Sequence, residues 1–110
     1  MKVHLIKKQT IEDYINSNAQ SKSSFEDWLE KLKTAEWQIP GDITATYPSA
    51  DLLGKGTGRV IFDIAGNHYR MIGKYWFGST KVHLYIKWIG THAEYNQLCK
   101  NNRQYIIEDH

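Results

Sequence analysis

The sequence predicts an α+β fold: N-terminal helices packed on one face of a mostly antiparallel sheet, followed by a short C-terminal helix. Three observations carry this. The spacing of apolar residues changes from a helical period in the first half to strict alternation in the second. A tight Ala65-Gly66-Asn67 turn joins two of the alternating segments into a hairpin. A capping-box motif then begins a new helix directly after the last alternating segment.

Taken in order, residues 3–6 form a short strand. Thr10 with Asp13 three positions later signals a helix start, and that helix ends near residues 16–18. From Ser23 or Ser24, Phe25, Trp28, Leu29 and Leu32 make one apolar stripe opposite Glu26, Asp27, Glu30, Lys31 and Lys33, so this second helix packs with the first. Residues 37–51, interrupted by Pro40-Gly41 and Pro48, read as a partly helical connection. Gly54-Lys55-Gly56-Thr57-Gly58 is a flexible link. Val60, Phe62 and Ile64 alternate with Arg59, Ile61 and Asp63, and after the turn Tyr69 and Met71 alternate with His68, Arg70 and Lys74. In the next strand Val82, Leu84, Ile86 and Trp88 are expected on one side, with Lys81, His83, Tyr85 and Lys87 on the other. Thr91-His92-Ala93-Glu94 fits a capping box, which puts His92 in the first turn of a helix ending near residues 100–102, with Tyr95 on the same side. Tyr105-Ile106-Ile107 is expected to return to the body of the protein.

At 110 residues and 12.8 kDa, with 41% hydrophobic and 24% charged residues, the chain has material for one core, and one domain is expected over residues 1–110. No apolar run approaches the roughly 18 to 20 residues of a membrane helix, and the start lacks a signal-peptide core, so no membrane partner and a cytoplasmic location are expected. The single cysteine, Cys99, cannot form an internal disulfide, which fits a reducing compartment. Charge is uneven. Residues 1–54 carry 6 basic and 8 acidic side chains, net −2, whereas residues 55–110 carry 8 and 4, net +4.

With helices covering the apolar face, the other face of the sheet collects Arg59, Arg70, Lys74, Lys81 and Lys87 against Asp63 alone. His83 and Tyr85 share that face, where they either stack on unpaired bases or shield the strands. His92 and Tyr95 emerge where the last strand ends, and an imidazole there suits proton transfer as well as it suits a helix start. Other chemistries are poorly supplied. The histidines, His4, His68, His83, His92 and His110, show no paired metal-ligand spacing, no serine occupies a nucleophile elbow, and Cys99 is expected buried in mid helix. The glycines at 54–58 lack the ending of a phosphate loop. A basic sheet with a histidine and tyrosines at one end remains, suited either to cutting a nucleic-acid phosphodiester or to holding RNA or an acidic partner without cutting. A DNA-binding module is less suited, because no recognition helix carries base-reading side chains at its start.

Three segments, Arg59-Val60-Ile61-Phe62, Gly66-Asn67-His68-Tyr69-Arg70 and Ile89-Gly90-Thr91-His92-Ala93-Glu94-Tyr95, resemble successive signatures of the HigB family of bacterial toxins, with Ala35-Glu36-Trp37 and Tyr47-Pro48-Ser49-Ala50 in the order that family shows. The resemblance spans about residues 1–98. It implies a RelE-like α+β fold and a ribonuclease that cuts mRNA on the translating ribosome, held inactive by a cognate helix-turn-helix antitoxin of the HigA kind. Carried over by position, it implies Arg70 as the phosphate-binding arginine and His92 as the proton-transfer residue with Tyr95 beside it. Arg59 and Lys74 would be further RNA contacts, joined by Lys87, His83 and Tyr85 on the same face. Neither metal nor cofactor is implied, because the 2′-OH of RNA is itself the nucleophile. Asn96 departs from the aspartate that often follows the tyrosine and is given no acid or base role; the segment after Lys100 lies outside the pattern.

Overall fold

The computed structural model describes residues 1–54 and 56–108. In chain order its elements are β1 (Lys2–Ile6), α1 (Lys8–Ser17), α2 (Lys22–Lys33), α3 (Gly41–Thr46), β2 (Asp51–Leu52), β3 (Arg59–Ile64), β4 (Tyr69–Phe77), β5 (Lys81–Thr91) and α4 (His92–Lys100). Single turns of 3-10 helix at Ala19–Ser21 and Arg103–Tyr105 precede α2 and follow α4. The sheet order is β1-β5-β4-β3-β2, with β1 parallel to β5 and every other pair antiparallel. The predicted α+β fold, mostly antiparallel and ending in a short helix, is what forms.

Beneath one sheet face, Ile11 of α1, Phe25, Trp28 and Leu32 of α2, and Ile43 of α3 are buried with Val60, Phe62, Ile64, Met71, Val82, Leu84 and Ile86. The predicted apolar stripe of α2 is therefore the face it buries. Tyr47 closes this core: its ring stacks on Trp28 at 5.4 Å and its hydroxyl donates to the Trp28 carbonyl at 2.7 Å. Burial accordingly pushes the Tyr47 phenol well above its ordinary pKa.

Four expectations are corrected. Helix α1 starts at Lys8, led in by Lys7 in the left-handed region, so Thr10 lies inside the helix and caps nothing. Alternation along β5 breaks at Lys87: Ile72 pairs with Trp88 but Gly73 pairs with Ile86, so Lys87 is an extra, unpaired residue. This bulge turns Trp88 to the face opposite Ile86, and Ile89 takes the place in the helical core. The opposite face is also not left open. Helix α4 folds back over it, burying Leu98 and, from the following segment, Ile107 against Ile61, Ile72 and Trp88. Of the returning tail, Ile107 is buried while Tyr105 and Ile106 stay exposed. Cys99, expected buried, is only half-buried. Lys55 in the glycine-rich link and His110 lie outside the described residues.

Gly90 makes the α4 return possible. The Trp88 indole lies over it, and a Cβ at position 90 would stand 2.4 Å from two indole carbons and 2.9 Å from a Glu94 oxygen.

Candidate active site and nucleic-acid interface

The capping box forms as read. Thr91 Oγ1 accepts from the Glu94 amide at 3.2 Å, and the Glu94 carboxylate accepts from the Thr91 amide at 2.7 Å. His92 is thereby fixed at the first helical position, where its amide donates to the carbonyl of His68 at 3.0 Å. Both histidines, with Asn18, Gln20, Asn67 and Thr91, line a cleft of about 420 Å³. His68 had not been singled out in the sequence. Only the close approach of the β3–β4 turn to the start of α4 reveals it, and no spacing along the chain signals that approach. Asn96, set aside by sequence, is the side chain beside His92, with its amide nitrogen 3.4 Å from Nε2. The helical i,i+4 spacing contained that signal.

Tyr95 does not share the exposed side of His92. It turns under α4 onto Trp88, ring centroids 6.3 Å apart. Burial, with a hydrogen bond to Cys99, pushes its phenol well above the ordinary value and keeps it a neutral donor through physiological pH.

Arg70 lies opposite Gly90 and Asp63 in the ladder, next in sequence to Tyr69 of the cleft wall. Its Nε sits 3.1 Å from the Asp63 carboxylate, Nη1 donates to the Tyr69 carbonyl at 3.1 Å, and Nη2 donates to the side-chain oxygen of Asn67 at 3.3 Å. The guanidinium is held flat and only 8% of the residue is exposed. One N–H on each terminal nitrogen is left over. Asn67 connects it to the cleft, because the same side chain lines that cavity.

The basic residues do share a sheet face, as Arg59 opposite Lys74 and Arg70 opposite Asp63 require. They do not form one open surface. Arg59 is 3% exposed: Nη1 donates to the carbonyls of Gln104 (3.3 Å) and Ile107 (2.9 Å), and Nη2 reaches Glu108 at 3.4 Å. It is turned to the tail rather than to solvent. Lys87 also binds Glu108, at 3.0 Å, and lies 5.5 Å from the Tyr85 ring centroid. Lys74 and Lys81 are exposed, and His83 and Tyr85 are half-buried on the same face. A separate cavity of about 260 Å³ on the helical side, bounded by Asp27, Trp28 and Lys31, contains none of the expected site residues.

Comparison with known proteins agrees with the motif resemblance. Residues 21–98 match the HigB toxin family, described as the RelE-like toxic component of a toxin-antitoxin system. The chain is 26% identical over 94 residues, 86% of its length and 88% of the relative's, to the mRNA interferase toxin HigB of Escherichia coli (strain K12). The same figures hold for the mRNA interferases HigB of Escherichia coli O157:H7 and Shigella flexneri. No helix among the described residues is long and apolar enough to cross a membrane. With the family match covering most of the sheet and the start of α4, the chain belongs to the HigB toxin family, RelE-like toxic components of toxin-antitoxin systems.

Proposed function

We propose that the chain is an mRNA endoribonuclease that cuts messages on the ribosome, in the cytoplasm, and is silenced by a cognate helix-turn-helix antitoxin of the HigA kind. The observation that carries this reading is the cleft lined by both His68 and His92, with Asn67, to which the Arg70 guanidinium donates, on its wall. RNA supplies its own nucleophile, so the protein needs a base, an acid and charge for the transition state. A base takes the proton of the 2′-OH, O2′ bonds to phosphorus, the bond to the 5′ oxygen breaks, and an acid returns a proton to that oxygen. The products are a 2′,3′-cyclic phosphate and a 5′-OH. His92 is the proton-transfer residue at one of these steps, and His68 is placed to serve the other. Arg70, through its unused N–H groups, stabilises the phosphorane. Tyr95, protonated and lying beneath α4, supports the cleft from the sheet side.

Lys74, His83 and Tyr85 contact the strand, Lys87 joins them when Glu108 is displaced, and Arg59 is reached only if the whole segment from Gln104 to Glu108 lifts away. Metal independence is part of the proposal, because side chains alone can supply the base, the acid and the charge for the phosphorane. Ribosome dependence is supported by charge: a chain of net +2 has a weak general attraction for free RNA.

The Arg70–Asp63 pair favours a second reading, a non-catalytic RNA- or protein-binding module in which Arg70 only ties the hairpin together. Induced expression separates the two. An interferase arrests growth, is relieved by co-expressed antitoxin, and leaves message fragments with 2′,3′-cyclic phosphate ends, whereas a binding module leaves message intact at equal occupancy.

A further inference from the structure

Away from the cleft, the part of the sheet that α4 and the tail leave uncovered carries a row of rings. The ladder sets Trp76 of β4 opposite His83 of β5, and His83 beside His4 of β1. Trp76 stacks on His83 at 5.3 Å with planes 23° apart, and His4 meets His83 edge-on at 5.9 Å. Gly78 closes over the other end: a Cβ there would lie 3.4 Å from the His83 ring, so the turn before β5 helps hold that imidazole in place.

Two features make this row unusual for a solvent-facing strand. Trp76 is 62% exposed, whereas Trp28, Trp37 and Trp88 are all buried. The neighbouring cations also lack a close ion pair: Lys74 and Lys81 are exposed, and no carboxylate among the described residues lies within 4.0 Å of either. Lys2, paired with Lys81 in the ladder, is bound to Glu36 at 3.1 Å and is not counted. Flat rings with free ammonium groups beside them match the two halves of a nucleotide, since every base has a face to stack and every phosphate a charge to meet. An acidic peptide would use the lysines but leave the Trp76 face unmatched.

We propose that Trp76, His83 and His4, with Lys74 and Lys81, form a stacking platform for unpaired bases of single-stranded RNA, a binding site apart from the cutting cleft. Trp76 lies seven residues along β4 from Tyr69 at the cleft, roughly 23 Å at the rise of a strand. The platform holds a stretch of message remote from the cut. It selects single strands over duplex because paired bases expose no face, and its preference among bases is weak because stacking reads no hydrogen-bonding edge.

The proposal rests on RNA being the substrate, so it is tested on RNA that cannot be cut. Trp76 is the exposed tryptophan of the four and its emission reports on the platform. Titration with a 2′-O-methyl oligoadenylate, which lacks the nucleophile, should quench that emission. Trp76→Ala should abolish the quench and weaken binding, read by anisotropy of labelled RNA, by about tenfold or more, while Trp76→Phe retains most of the affinity. Lys100→Ala on α4 should change neither, and because Trp76 is exposed its variants should keep the wild-type circular dichroism. Binding of Trp76→Ala equal to wild type overturns the proposal, as does equal quenching by polyglutamate, which would assign the surface to an acidic protein segment. Normal binding by a protein that never cuts ribosome-bound message would uphold the platform and sink only the ribonuclease reading.

Discussion

The backbone N–H of His92 donates to the carbonyl of His68 at 3.0 Å, joining the start of α4 to the β3–β4 turn. This bond between distant parts of the chain brings two imidazole-bearing residues to one cleft, and it sets the first prediction. His92→Ala should lower turnover of bound message by about 100-fold or more, the usual contribution of a positioned acid or base, and His68→Ala should lower it by a similar order. The double variant should lose much less than the product of the two, because residues acting in one transition state are not additive. A His68→Ala enzyme as fast as wild type would remove His68 from the mechanism and leave His92.

The Arg59 guanidinium serves the fold. Arg59→Met keeps most of the stem but takes the donors away from the buried Gln104 and Ile107 carbonyls, at a cost of about 2 to 4 kcal/mol. The midpoint of urea unfolding should fall accordingly. A midpoint within error of wild type would show that water replaces the guanidinium freely.

Glu108 adds a dependence on pH. A hydrogen bond from Lys87, with the charges of Lys87 and Arg59, holds its carboxyl below the ordinary 4.5. A group depressed in the folded state contributes fully above its ordinary value and loses that contribution as pH falls through the depressed one. Docking of the tail should therefore be constant from neutral pH to about 5 and loosen only on further acidification. Protection of the Ile107 amide, which donates to the Arg103 carbonyl at 2.8 Å, reports this by hydrogen exchange. Glu108→Gln should remove the acid step, and the same step in both proteins would assign it to another group.

Much of this architecture was legible in local sequence because local physics decides it. The stripe from Phe25 to Leu32, the hairpin around Ala65-Gly66-Asn67 and the Thr91/Glu94 box each act within a few residues. What escaped depends on contacts between distant segments. The bulge at Lys87 is set by pairing with Ile72 and Gly73, so strict alternation misplaced Trp88. That displacement supplies the apolar surface on which α4 lies, and α4 with the tail then covers Arg59. Counting basic residues on the face was correct, but the availability of Arg59 was not readable, because the partners that occupy it, Gln104, Ile107 and Glu108, come from a distant part of the chain, whereas those of Arg70, Asp63 and Asn67, lie within its own hairpin.

Gly90 gives a direct test of that packing. Gly90→Ala places a methyl group against the Trp88 ring and the capping carboxylate of Glu94, and should cost about 1 to 3 kcal/mol. Near-ultraviolet circular dichroism should change as the indole moves. An unchanged spectrum and midpoint would mean that α4 is not seated on Trp88 as described.

In the proposed mechanism Arg70 and His92 act on the scissile phosphate while the rest of the basic face only attracts RNA. Single-turnover cleavage on programmed ribosomes at saturating protein tests it most directly, with Arg70→Ala, His92→Ala and Lys81→Ala compared after each is shown to be folded. Loss of a donor to the transition state lowers turnover by about 100-fold or more, whereas loss of one phosphate contact weakens binding by a small, salt-dependent amount. Arg70→Ala and His92→Ala should fall by that larger factor, and Lys81→Ala should cut at the wild-type rate. Equal and small effects of Arg70→Ala and Lys81→Ala would contradict it and place the cutting site elsewhere.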